Sequence, residues 1–151
     1  MASESDQGKL LADLSAQGLR PASPEEFEFY RIRAGWPKRN VDYDDESMIL
    51  AVGLRQGVAF GKGCYPGQEV VERATAIGSS PKTLVTVQLD SLPAGTPPLP
   101  VAIDGKEVGK LTSWASFNGC HLGLGQIRTK QVALQGNVSV KEIHGEIIAR
   151  H

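Results

Sequence analysis

Between Gly61 and Arg73 the chain reads G-K-G-C-Y-P-G-Q-E-V-V-E-R, a run holding three glycines, a proline, a cysteine and four charged residues. Glycine and proline crowd a segment whose backbone must take conformations that other residues resist. Val70, Val71, Ala74 and Ile77 follow at helical spacing until Gly78, so the run reads as a tight turn feeding a helix. Cys64 then stands just ahead of a helix N-terminus, where unpaired N–H groups and the macrodipole favour an anion. Lys62 adds a positive charge nearby. Such surroundings lower a thiol pKa and make a reactive thiolate available; the competing reading is a small residue tolerated in a turn. Gln68 and Glu69, in the first helical turn, are explained by capping and the dipole alone. Arg73 lies one turn beyond Glu69, and such a pair contributes only about 0.2–0.5 kcal/mol.

The elements that must hold this turn differ on its two sides. Upstream, Met1 to Gln7 is small and polar and reads as a frayed tail. Leu10, Leu11 and Leu14 mark a short helix closed by Gly18. Ser23-Pro24-Glu25-Glu26 combines a capping serine, a proline suited to the first helical position and a glutamate that completes a capping box. The helix predicted from it spans Pro24 to Ala34, with Phe27, Tyr30, Arg31 and Ala34 on one face and Gly35 and Pro37 ending it. Lys38 to Ser47 carries Asp42, Asp44, Asp45 and Glu46 without the glycine or the ligand spacing of a calcium loop, which favours a solvated loop over a metal site. Met48 to Leu54 forms a short helix or a turn, and Val58 to Phe60 an extended approach to the glycine-rich run.

Downstream the pattern alternates. Leu84 to Leu89 reads as a strand, and Leu92 to Pro100, with four prolines, as a loop. Asp104-Gly105 and Asn118-Gly119 are hairpin turns between apolar runs, and Val138 to Ile148 supplies one or two closing strands with a bulge or bend at Gly145. The fold class expected is therefore α+β: helical segments followed by a small antiparallel β-barrel or sandwich. The expected division is 1–60, 61–78 for the turn and its helix, and 79–151 for the β-domain.

Composition narrows function by exclusion. The chain has 151 residues, net charge −1 and 22% charged residues, typical of a soluble globular protein. The 7 basic and 10 acidic residues before Gly61, and the 9 and 7 from Gly61 on, leave neither part with the basic footprint of a nucleic-acid binder. Two cysteines, Cys64 and Cys120, make no disulfide framework and point to a reducing compartment. No apolar run is long enough to span a membrane, so a cytoplasmic protein is expected. Cys120-His121 is no metal pair, because adjacent strand residues point to opposite faces. No metal site is expected, and His144 and His151 have no partner motif.

Taken together, K-G-C-Y-P-G-Q-E-V-V-E-R from Lys62 to Arg73 resembles the hallmark of the YgfZ-type branch of the folate-binding aminomethyltransferase superfamily, K-G-C-[YF]-x-G-Q-E with an arginine four residues on. R-I-R-A-G-W-P from Arg31 to Pro37 resembles the R-I-x-x-G-x-P segment ahead of that motif, and V-G-K-L-T-S from Val108 to Ser113 resembles the V-G-x-V-T-S of the terminal barrel. The resemblance implies a C-terminal half of such a protein, with residues 1–60 the remnant of a folate-cradling domain. It implies a tetrahydrofolate or related folate as ligand, and a role supporting iron–sulfur cluster assembly or repair with client or assembly proteins as partners. Enzymatic aminomethyl transfer and a non-enzymatic interaction module are the alternatives, and a homodimer would cover apolar surface left by a missing domain. Among site residues it implies Cys64 as a functional thiol, Lys62 for an anionic tail, Gln68, Glu69, Arg73 and Arg31 as ligand-binding polar groups, and Tyr65 and Trp36 as platforms for a flat pterin ring, with core aromatics the alternative for the last two. Asp42 is the nearest candidate for a ligand-facing carboxylate.

Overall fold

In the computed structural model, which describes residues 4–76, 80–132 and 136–151, six antiparallel strands close into a barrel in the order β1-β4-β3-β2-β5-β6. They are β1 (Lys82–Leu89), β2 (Leu99–Ile103), β3 (Lys106–Phe117), β4 (Cys120–Arg128), β5 (Asn137–Val140) and β6 (Ile143–Arg150). The two predicted hairpin turns form where the sequence placed them. Asp104-Gly105 joins β2 to β3 and Asn118-Gly119 joins β3 to β4, both residues of each pair having φ between 50° and 76°. That is the left-handed backbone of the tight turns matching strand twist. Alternate residues such as Val85, Val87, Val101, Leu111, Ile127 and Ile147 fill the barrel.

Gly145, expected to bend its strand, keeps regular register with Leu89 and Val138. A side chain there would press on the Gln88 carbonyl, so the glycine serves close strand approach. The irregularities lie between Thr86 and Val87, between Val101 and Ala102 and between Leu111 and Ser113.

Three helices accompany the barrel: α1 (Glu4–Ala16), α2 (Pro24–Arg33) and α3 (Gln68–Ala76). Helix α1 begins at Glu4, so residues expected to fray are helical; Met1 to Ser3 lie outside the described residues. Helix α2 forms as its capping box dictates. The Ser23 hydroxyl accepts from the Glu26 N–H at 3.2 Å, and the Glu26 carboxylate accepts from the Ser23 N–H at 3.0 Å. Arg20 also hydrogen-bonds that carboxylate, holding the Glu26 pKa at about 2. Its packing face differs from the expected one. Phe29 and Ile32 are buried, whereas Phe27 and Tyr30 are exposed. The helix carries two apolar stripes, and the barrel selects the one that meets Leu84, Ala115, Leu122 and Leu124 on its outer face. Gly35, at φ 66°, ends α2 with the Trp36 N–H bonded to the Arg31 carbonyl and its own N–H to that of Ile32, a left-handed glycine cap.

Met48 to Leu54 is a series of turns. The face of α3 was expected to continue to Ile77 with Gly78 as its stop; both lie outside the described residues. Among the described residues no helix is long and apolar enough to cross a membrane.

Candidate functional site

Two of the three family-like segments are absorbed by a buried clasp that sequence reasoning did not assemble. Asp42, 2% exposed, sits where α2, the loop after it and β3 converge. Its Oδ2 accepts from Arg31 Nη1 at 2.7 Å and from the Lys38 N–H at 2.8 Å. Its Oδ1 accepts from the hydroxyls of Thr112 and Ser113, the latter at 2.6 Å. Consecutive strand residues ordinarily point to opposite faces, but the bulge between Leu111 and Ser113 turns both hydroxyls toward one carboxylate. The Asp42 carbonyl takes a further bond from Gln126. Burial is tolerable because every lone pair direction in use is matched by a donor and the charge by a guanidinium.

Arg31, expected to touch a ligand, is consumed by this clasp. Its side chain is 5% exposed, and besides Asp42 it donates to the Trp36 carbonyl at 2.7 Å and to Glu28 at 2.9 Å. Burial pushes the Glu28 carboxyl up, and hydrogen bonds from Arg31 and Lys38 more than reverse this, leaving it below its ordinary value. The Asp42 carboxylate is likewise fully buried in the clasp, at the edge of an open cleft of about 450 Å³. Asp44 pairs with Ser47, and Asp45 with Arg39. Among the described residues no group of three or more His, Cys, Asp and Glu is placed to hold a metal ion.

His151, for which the sequence offers no partner motif, has a partner in the fold. Its Nε2 lies 2.9 Å from the Thr86 hydroxyl, which donates to the Ile32 carbonyl, and its backbone pairs with Leu84 and Thr83. A side chain at Gly35 would collide with the imidazole. Burial lowers the His151 pKa.

The third segment has no such packing role. Gly61 and Gly67 hold φ of 79° and 85°, conformations costly to other residues. Gln68 opens α3 by accepting the Tyr65 N–H on its side-chain oxygen at 3.3 Å, and its amide donates to Glu72. Cys64 is exposed and stands four residues ahead of Gln68, the first residue of α3. Lys62 places its ammonium 4.8 Å from the Tyr65 ring centroid, a cation–π distance. Arg73 pairs with Glu69 at 2.7 Å, both well exposed. No residue of α3 is buried, and Val70 is 56% exposed on an otherwise amphipathic helix.

The structure thus brings Lys62 to Tyr65, Gln68 to Tyr65 and Glu69 to Arg73. Of the other expected ligand groups, Arg31 meets the main chain of Trp36, a residue that is 57% exposed. Among the described residues no hydrogen bond, ion pair or ring contact connects Arg31 or Trp36 with the 61–73 turn. In kind, the turn's side chains suit a folate: an aromatic ring for a flat pteridine, a lysine and an arginine for glutamate carboxylates. In arrangement they form one open wall.

The crystal structure of the glycine cleavage system aminomethyltransferase T from Bartonella henselae superposes with a TM-score of 0.66 over 79% of this chain and 36% of that one, at 15% identity. The two chains share their fold over this part, helical segments with a closed six-stranded antiparallel barrel. A relative by sequence is a chloroplastic Arabidopsis thaliana protein named as a putative transferase, 34% identical over 131 residues. That match takes in 85% of this chain and 30% of the relative, so the chain spans about a third of the length of the proteins it matches. No protein-family model matches the chain.

Proposed function

We propose that the chain supplies the barrel part of a folate-binding protein of aminomethyltransferase type, and that the 61–73 turn forms one wall of its ligand site with Cys64 as the reactive group. The observation that carries this reading is the contrast among the three segments. Those at Arg31 to Pro37 and Val108 to Ser113 are accounted for by the clasp and the core, whereas the turn spends its glycines, cation and thiol on an open surface that stabilises nothing in sight. Residues placed at conformational cost without a packing return mark function. Tyr65 would lie against the pteridine, Lys62 and Arg73 would meet the glutamate carboxylates, and the folate would supply one-carbon chemistry when bound.

Within that family we assign the YgfZ-type role, support of iron–sulfur cluster assembly or repair in client proteins, because Cys64 and Gln68 stand in the K-G-C-Y-P-G-Q-E pattern. Calorimetry with tetrahydrofolate should give binding that Lys62→Ala and Tyr65→Ala weaken; no heat with the chain, alone or extended at its N-terminus, removes the folate reading. In cells lacking the protein, Cys64→Ala should fail to restore iron–sulfur enzyme activity, and full rescue would remove the thiol's role. Tetrahydrofolate-dependent aminomethyl transfer is the second reading, favoured by the transferase description of the Arabidopsis relative. Turnover of an aminomethyl donor with Cys64→Ala as active as the parent chain would select it.

A further inference from the structure

We propose a second ligand site, for a small anion carrying two or more phosphate or carboxylate groups, at the end of the barrel where β1 begins and β4 ends. Lys82 and Arg128 are direct partners across the β1–β4 ladder, so their side chains leave the sheet side by side on the same face. Like charges opposed in this way destabilise a sheet. Lys130 follows in the short 3-10 turn Thr129–Gln131. Together with Ser80, Pro81 and Thr129 these cations line an open cleft of about 470 Å³ that no Asp or Glu borders, a volume in the range of small-molecule sites. On the other side of Lys82 a cleft of about 200 Å³ is bordered by Arg55 and Arg150 with no acidic side chain, while a third cleft that Lys82 and Arg128 share also carries Asp44 and Glu107.

Among the described residues Lys82, Arg128, Lys130 and Arg150 have no carboxylate within ion-pair distance, a state they share with Lys62, Lys106 and Lys110; what sets them apart is their grouping at one end of the barrel. This concentration occurs in a chain of net charge −1, so it is no by-product of a basic composition. The cleft is also held in shape. The Thr129 N–H bonds the Pro81 carbonyl at 3.0 Å, and its hydroxyl bonds the Ser80 carbonyl at 2.6 Å. The cations stand on a fixed ladder and turn, and a multivalent anion between them would relieve the repulsion that the register imposes. The guanidinium of Arg128 offers a planar fork for one acidic group and the two lysines take others.

The test uses the full chain with sodium pyrophosphate and with citrate as probes, against acetate as a monovalent control. Binding is read by calorimetry and by thermal unfolding at low and at physiological ionic strength. Arg128→Gln and Lys106→Gln each remove one positive charge, the latter at the Asp104-Gly105 turn and outside the lining of the cleft. We expect pyrophosphate or citrate to raise Tm, binding to weaken with salt, and Arg128→Gln to lower affinity about ten-fold, equivalent to about 1.4 kcal/mol, while Lys106→Gln retains it. Free of anion, Arg128→Gln should melt above the parent chain because a like-charge pair is gone. Binding of one probe and not the other tells phosphate from carboxylate chemistry. The proposal is overturned if neither probe binds, if Arg128→Gln binds like the parent, or if Lys106→Gln loses as much.

Discussion

Replacing Asp42 with alanine should be the most damaging single change outside the barrel interior. The carboxylate accepts four hydrogen bonds, from Arg31, the Lys38 main chain, Thr112 and Ser113. Removing it strands a guanidinium whose side chain is only 5% exposed and which retains Glu28 alone as a charged partner. Breaking a buried pair from one side typically costs about 3–5 kcal/mol, chiefly because the remaining charge is buried uncompensated. The Ser113 hydroxyl and the Lys38 N–H would lose their acceptor as well, while the Thr112 hydroxyl keeps the Leu124 carbonyl. Against a domain stability of about 5–15 kcal/mol, such a loss removes a large share of the total. Urea denaturation followed by circular dichroism should show a lower midpoint for Asp42→Ala. The paired change Arg31→Met with Asp42→Leu should recover much of it, since apolar replacements of buried ion pairs are often neutral or stabilising. A drop below about 1 kcal/mol for Asp42→Ala would refute the reasoning, because it would mean that the clasp is solvated or dispensable.

Other expectations are narrower. Because burial lowers the His151 pKa, the folded state prefers the neutral ring; this contribution is complete above the unfolded value near 6.5 and is lost as pH falls below it. His151→Gln should therefore flatten the decline in urea midpoint between neutral and mildly acidic pH, and an unchanged decline would contradict the assignment. Glu26 works further down the scale: with its pKa lowered to about 2, chiefly by the Arg20 hydrogen bond, its support of α2 is present above the ordinary value of 4.5 and fades as pH falls toward 2. Arg20→Ala should move that loss to higher pH in an acid titration followed by circular dichroism. Gly109→Ala would drive a methyl into the Gln126 carbonyl and within 2.8 Å of the Ile127 Cα. Backbone atoms yield little, so a cost of about 3 kcal/mol or more is expected, readable as poor soluble yield and a lower denaturation midpoint; a gain in stability would exclude the clash. Ser23→Ala, which removes half of the capping box, should cost about 1 kcal/mol in the same assay.

Local chemistry made the β-part of the fold legible. Asp104-Gly105 and Asn118-Gly119 require left-handed backbone, and alternating apolar residues fix which face meets the core, so turns and strands follow from neighbouring residues alone. The start of α2 was legible for the same reason, because a capping box is written within four residues. Its inward face was not: Phe27 and Tyr30 compete with Phe29 and Ile32 at similar spacing, and only the barrel's outer surface decides between them. Asp42 was hidden among acidic neighbours because three of its partners lie 11, 70 and 71 residues away. His151 was silent in the same way, its hydroxyl partner lying 65 residues upstream. At the 61–73 turn the residue types were legible, but not the separation of Arg31 from the surface they present.

The single-residue bulge before Ser113 has a consequence for how this chain could change in length. Deleting Thr112 would remove the irregularity and give β3 a smoother ladder beside β4, an apparent improvement by every local measure of strand quality. It would also halve the hydroxyls facing Asp42 and rotate what remains of the strand relative to the seat of α2. Regularity and attachment are in opposition at this point. The barrel keeps a flaw in its pleat as the peg from which its helical cover hangs.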